Sequence, residues 1–129
     1  MHSDKRSLGK QNREWGQIAE SIAADYFLTQ GYTIRERNWK SGKFEIDLIL
    51  QKGREIIFVE VKARNGQGED PADAVNYKKR RRIILAADYY LTMLPQLYEY
   101  RFDIVTITGT QESYKFEHYP DAFIPTVIK

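Results

Sequence analysis

Asp47, Glu60 and Lys62 are the residues whose types and spacing could do chemistry. They sit in the stretch FEIDLILQKGREIIFVEVK, Phe44 to Lys62, which reads as two strands joined by a tight turn at Lys52-Gly53-Arg54. Strand alternation sorts it into two faces. One holds Phe44, Ile46, Leu48 and Leu50 with Ile57, Val59 and Val61, and is wholly apolar. The other mixes Glu45, Asp47, Glu60 and Lys62 with Ile49, Ile56 and Phe58. A turn of two or four residues keeps Asp47 and Glu60 on one face, diagonal in the first case and directly opposite in the second. Carboxylates among apolar side chains are costly unless they are paired, solvated or holding a metal. Two adjacent carboxylates also repel, which raises one pKa unless a cation lies between them. A hard divalent ion with oxygen ligands suits such a pair, Mg2+ or Mn2+ being the expected cofactor. A neighbouring lysine could orient a water or stabilise charge developing at phosphorus. A plain salt bridge to Lys62 would account for one acid but not for both.

The flanking elements must position these groups. Residues 1–11 read as a polar, flexible lead-in, and residues 12–129 as one domain. A helix is expected from about Asn12 to Gln30, ended by Gly31, with the apolar stripe Trp15, Ile18, Ala19, Ile22, Ala23 and Tyr26. Glu20 lies about 120° from the centre of that stripe, at about 100° per residue. It borders the buried face, where it is either a third acid for the hairpin or an ordinary solvated glutamate. Tyr32 to Arg37 suits a short strand, and Asn38 to Lys43 a loop. After Lys62 a glycine-bearing loop begins at Arg64, and Asp70-Pro71 could start a helix. The next long helix spans about Asn76 to Leu94, with the stripe Ile83, Ile84, Ala87, Tyr90, Leu91 and Leu94. Lys78, Lys79, Arg80, Arg81 and Arg82 crowd its start, against a macrodipole that favours anions there. Lys79 and Arg80 extend the stripe toward the sheet. A strand over Arg101–Thr108 and a short one over Tyr114–His118 complete the order. Helix, three strands, helix, one or two strands make an α/β fold with a mixed sheet.

Composition narrows the classes. The chain has 129 residues, 29% charged and 42% hydrophobic, a net charge of +2 and no cysteine. That supports a single core-bearing domain and excludes thiolate chemistry, cysteine zinc sites and a disulfide scaffold. No signal peptide or membrane span is visible, so a cytoplasmic protein without a membrane partner is expected. The small net charge makes the distribution of cations more telling than their sum. Arg64, Lys78, Lys79, Arg80 and Arg82 are the candidates for phosphate contact, against the alternative of a solvated basic face. Trp39, beside the expected loop, is the candidate for base stacking. His118 reads as structural, and Arg101 and Asp103 as partners of one another.

An acid in an apolar strand, a hairpin, then apolar-Glu-Val-Lys is the pattern of the PD-(D/E)XK nuclease core, restriction-endonuclease-like in fold. The chain more closely resembles the bacterial YraN-like uncharacterised family, itself similar to archaeal Holliday-junction resolvases. The resemblance covers about Trp15 to Phe123. It rests on Gly16 to Glu20, Gly31-Tyr32, Asn38-Trp39, Glu45-Ile46-Asp47-Leu48-Ile49, Phe58-Val59-Glu60-Val61-Lys62, Lys79 to Leu91, Arg101-Phe102-Asp103 and Ala122-Phe123. It implies metal ligation by Asp47, Glu60 and the Val61 backbone carbonyl, with Glu20 as an additional carboxylate. It also implies a water-orienting Lys62 and cleavage of nucleic acid, DNA ahead of RNA, branched or damaged forms included. A four-way-junction substrate would call for a homodimer. The alternative is a nucleic-acid-binding protein that keeps the fold without cleaving. Phe44 and Ala19 stand where the family usually has glycine; neither change removes a ligand.

Overall fold

The computed structural model describes residues 5–66 and 76–125. In chain order the elements are α1 (Lys5–Thr29), β1 (Thr33–Ser41), β2 (Phe44–Lys52), β3 (Glu55–Arg64), α2 (Tyr77–Thr92), β4 (Glu99–Gly109) and β5 (Tyr114–Phe123). The strands form one sheet in the order β1-β2-β3-β4-β5. Only β3 and β4 are parallel, and α2 is the crossover between them. The α/β class, the mixed sheet and the order helix, three strands, helix, two strands agree with a restriction-endonuclease-like core. Among the described residues no helix is long and apolar enough to cross a membrane.

Each helix covers one face of the sheet. Ala19, Ala23, Ala24 and Phe27 of α1 are buried against Leu48, Leu50, Ile57, Val59, Val105 and Ile107. On the opposite face Ile83, Ile84, Ala86, Ala87 and Tyr90 of α2 pack on Ile46, Ile49, Ile56, Phe58, Phe102 and Ile104. Phe58 is fully buried and stacks on Phe102 at 5.6 Å, which in turn stacks on Phe123 at 5.0 Å. Phe58→Ala should therefore cost about 3–5 kcal/mol in chemical denaturation. A loss below about 1 kcal/mol would mean that this layer is not packed as described.

Several boundaries differ from those the sequence suggests. Residues 5–11, expected as a lead-in, are helical. Residues 38–41, expected as a loop, continue β1, and the chain turns at Gly42-Lys43, where Gly42 has φ 60°. The candidate helix start at Asp70-Pro71 lies outside the described residues. Asn76 is the N-cap of α2: its side-chain oxygen accepts from the Lys79 amide at 3.0 Å. Strand β5 runs past His118 through Pro120, which an edge strand tolerates because its outer side needs no ladder donor.

On the α1 face, fully buried Asp103 gathers three donors. Arg101 approaches at 2.9 Å, His118 Nε2 at 2.7 Å, and the Asp121 amide donates at 2.9 Å. Burial alone would push its carboxyl up, yet His118, Arg101 and the Asp121 amide hold it below the ordinary carboxylate range. Arg101 also donates to Glu55 and Tyr32. These residues tie β3, β4 and β5 to Tyr32 in the link between α1 and β1; the expected Arg101–Asp103 pair is present and His118 belongs to it. Asp103→Ala would leave a half-buried guanidinium without its main counter-charge and should cost about 3–5 kcal/mol in a denaturation curve. A cost of a few tenths would reduce the network to a surface ion pair.

Candidate active site

The hairpin turn decides where Asp47 lies. Pairing runs from Lys52↔Glu55 to Leu48↔Val59, so the turn has two residues, Gly53-Arg54, with Gly53 at φ 62°. In this register Asp47 falls level with Glu60 and not diagonal to it. The ladder itself ends before Asp47. Instead the Val61 amide donates to Asp47 Oδ2 at 2.9 Å, a side chain replacing a strand carbonyl.

Strand β2 also turns over at this point. Leu48 and Leu50 pack on the α1 side, as alternation demands, but Ile46 joins Ile49 on the α2 side, with Phe44 packed against the same core. The expected single apolar face through Phe44, Ile46, Leu48 and Leu50 is thus split at Asp47. Across in β1, between the pairs Arg37↔Leu48 and Trp39↔Ile46, Asn38 adopts φ 48°, a left-handed conformation that asparagine tolerates better than most residues. The irregularity has a consequence for chemistry. Helices α1 and α2 lie on opposite faces, and their side chains can meet only where the sheet opens. Between the parting ends of β2 and β3 it does.

There a cavity of about 310 Å³ is lined by Glu20, Asp47, Glu60, Val61, Lys62, Asn76 and Lys79. Glu20 comes from α1, one turn before buried Ala23 and Ala24 on the same helix face, so it points inward where solvation was the alternative. Asp47 and Asn38 lie beside its carboxyl. Burial, then the charge of Asp47, push the Glu20 carboxyl up to about 7. Glu60 is 7% exposed. Burial, then its hydrogen bond to Asp47 and the Asp47 charge, push it up to about 9, with Lys79 pulling the other way. Lys79 Nζ stands 3.2 Å from Glu60 Oε2. Burial lowers the Lys79 ammonium, but Glu60 beside it, with Asp47 and Glu45, raises it overall. Asp47 is therefore the hub, accepting from Val61 and touching a glutamate on either side.

The expected site residues separate into two groups. Glu20, Asp47, Glu60, Val61, Lys62 and Lys79 share the cavity. Arg80 turns inward as its position suggested, but toward β5, where its guanidinium lies 5.5 Å from the Phe123 ring centre. Lys78 and Arg82 are exposed on α2, and Arg64 is part-buried at the end of β3, its carbonyl accepting from Trp15 Nε1 at 3.1 Å. Asn38 and Asn76 were not anticipated at the site. Their signal is conformational, since asparagine favours left-handed backbone and helix N-caps.

A family model described as "Uncharacterised protein family UPF0102" matches residues 19–107. The chain belongs to this family. UPF0102 is the YraN-like family whose resemblance runs through the hairpin motif, and the matched span holds every residue of the cavity. A UPF0102 protein of Phocaeicola vulgatus is 41% identical over 91% of this chain and 98% of its own length. One from Chlorobium chlorochromatii is 41% identical over 85% and 91%, and one from Thermodesulfovibrio yellowstonii 39% over 85% and 96%. For a UPF0102 chain, whose family description carries no activity, function has to be argued from the cavity.

Its donors are oxygen, suited to a hard divalent ion. Among the described residues no three acidic or histidine side chains are spaced to close around a metal by themselves. Mg2+ does not require such a cage, because it keeps several of its own waters.

Proposed function

We propose that this protein is a metal-dependent phosphodiesterase that cleaves nucleic acid, DNA in the first instance, with branched or damaged forms among its substrates. The observation that supports this most is the convergence of Glu20, Asp47 and Glu60 with Lys62 and Lys79 at one opening of the sheet. A protein that only bound phosphates would gain nothing from three acids facing them.

The residues fit a divalent ion on chemical grounds. Burial, with Asp47 beside them, holds Glu20 and Glu60 above the ordinary carboxylate range, so a cation would replace protons that the cluster otherwise retains. Asp47, Glu60 and the Val61 carbonyl would hold Mg2+ or Mn2+, with Glu20 as a further acid. The ion would supply Lewis-acid polarisation of the phosphate and a nucleophile available at neutral pH. Asp47 is oriented for this by the Val61 amide, which fixes one of its oxygens. Lys62, exposed at the mouth of the cavity, would place an ammonium where charge develops at phosphorus or orient the attacking water. Lys79, drawn inward by Glu60, would offer its ammonium to a phosphate at the cavity. The N-terminus of α2 adds a dipole that favours an anion, which gives the basic run at Lys78–Arg82 a use. Cleavage of a four-way junction would require two such sites, hence a two-fold dimer.

The Lys79–Glu60 pair also supports a second reading, since it satisfies one acid without any metal: a nucleic-acid-binding protein that does not cleave. The two separate in a titration of Mg2+ or Mn2+ against linear, nicked, flap and four-way DNA and RNA. Cleavage that needs the metal and is lost in Glu60→Gln is expected. Binding without cleavage of any substrate would favour the second reading.

A further inference from the structure

Helix α2 carries a stripe that belongs to neither the core nor the lining of the acidic cavity. Lys78, Arg82, Leu85 and Tyr89 follow one another at spacings of four, three and four residues, so they share one side of the helix, and all four are exposed. Tyr89 is 42% exposed. Its ring is tilted 31° to Phe44 at 5.6 Å and 40° to Trp39 at 6.3 Å, both of which are half-buried. Three rings, from β1, β2 and α2, thus make one partly open aromatic surface. The cationic end of the stripe adjoins the cavity through Lys79. From Lys79 to Tyr89 the helix rises about 15 Å, at about 1.5 Å per residue.

We infer that this stripe is a platform for single-stranded nucleic acid, leading an unpaired strand away from the site. The inference rests on the nucleic-acid reading above but not on cleavage. Lys78 and Arg82 meet backbone phosphates, and the rings of Tyr89, Phe44 and Trp39 take the faces of unpaired bases. Two features favour this occupant. The charges on the stripe are cations, complementary to phosphate. The aromatic faces can stack only on bases that are not already stacked in a duplex, so an intact double helix could use the cations but not the rings. The platform would give the enzyme a preference for substrates with a single-stranded arm, such as flaps or opened junctions.

The test measures binding in EDTA, where cleavage plays no part, using a twelve-residue oligothymidylate and a twelve-base-pair duplex. Oligothymidylate should quench the Trp39 fluorescence, a signal that disappears in Trp39→Phe. Tyr89→Ala should weaken binding of the single strand about 5- to 100-fold and leave the duplex nearly unchanged, while Tyr89→Phe retains binding. Equal losses in Tyr89→Ala and Tyr89→Phe, or equal losses for single strand and duplex, would overturn the platform. So would a change of oligomeric state in Tyr89→Ala with unaltered oligothymidylate binding, which would assign the surface to a second copy. Duplex binding without single-strand binding would sink this inference alone. No binding of either would remove the nucleic-acid reading as well.

Discussion

Asp47→Asn should reduce metal-dependent cleavage by at least about 10²- to 10³-fold, the scale on which loss of one preorganised electrostatic group is felt. The residue lies beside both other acids, Glu20 and Glu60, and accepts from the Val61 amide through Oδ2. Asparagine keeps the size and an acceptor oxygen for Val61, so strand β2 has no reason to rearrange. It removes the negative charge that a divalent ion needs. The variant should therefore fold as well as the wild type, or better, because repulsion on Glu20 and Glu60 is relieved. A melting temperature equal to or above that of the wild type, with no cleavage at any Mg2+ concentration, is the expected pair of results. Lys62→Ala should separate the roles differently, slowing the reaction while leaving metal affinity in place. Cleavage by Asp47→Asn within about threefold of wild type would remove Asp47 from the chemistry.

The stability of the metal-free protein should fall as pH rises from about 5 to about 9. Glu60 has an ordinary value of 4.5 and a folded value of about 9. Over that range the folded state keeps a proton that the unfolded chain has released, so raising the pH favours unfolding. Glu20, at about 7 when folded, acts in the same direction over the lower part of the window. For buried Glu60 the effect is on the order of a few kcal/mol, with Lys79 offsetting part of it. Glu60→Gln should flatten the slope, and Mg2+ should restore stability at pH 8–9 by taking the place of the proton. Asp103 works at the other end of the scale. Its folded value lies below 3.8, so the stability it contributes is present above that and is lost only as the pH falls through the depressed value. Thermal melts in EDTA at one-unit pH steps would resolve both windows. A flat or rising profile between pH 5 and 9 would contradict a folded state that keeps protons on Glu20 and Glu60.

Much of the site was legible in the sequence because it depends on strand parity and helix periodicity. An even turn sufficed to bring Asp47 and Glu60 together, and the wheel projection of α2 sufficed to turn Lys79 and Arg80 inward. Glu20 was harder. Its nearness to the buried stripe was visible, but the stripe proved to be centred on Ala19, Ala23, Ala24 and Phe27, a rotation set by which face of the sheet the helix lies against. The reversal of β2 at Asp47 was not legible at all, because alternation assumes a regular strand and nothing in the apolar pattern marks the break. Left-handed Asn38 stands opposite it on the neighbouring strand, and such a cross-strand match has no local signature. The length of α1 was underestimated because its first turns lack an apolar stripe. The Arg101–Asp103–His118 network illustrates the opposite error that is open to a motif reader: three residues with catalytic chemistry, brought together to hold strands.

The proposed activity requires that Asp47 and Glu60, with the Val61 carbonyl, take up a divalent ion that keeps several of its own waters. Calorimetric titration of the wild-type protein with Mn2+ at pH 8, repeated in buffers of different ionisation enthalpy, tests it most directly. Binding with release of protons is expected, weakened about 10- to 100-fold or more in Asp47→Asn and Glu60→Gln. Absence of binding to the wild type at millimolar Mn2+, or binding by Asp47→Asn with unchanged affinity and proton release, would contradict it.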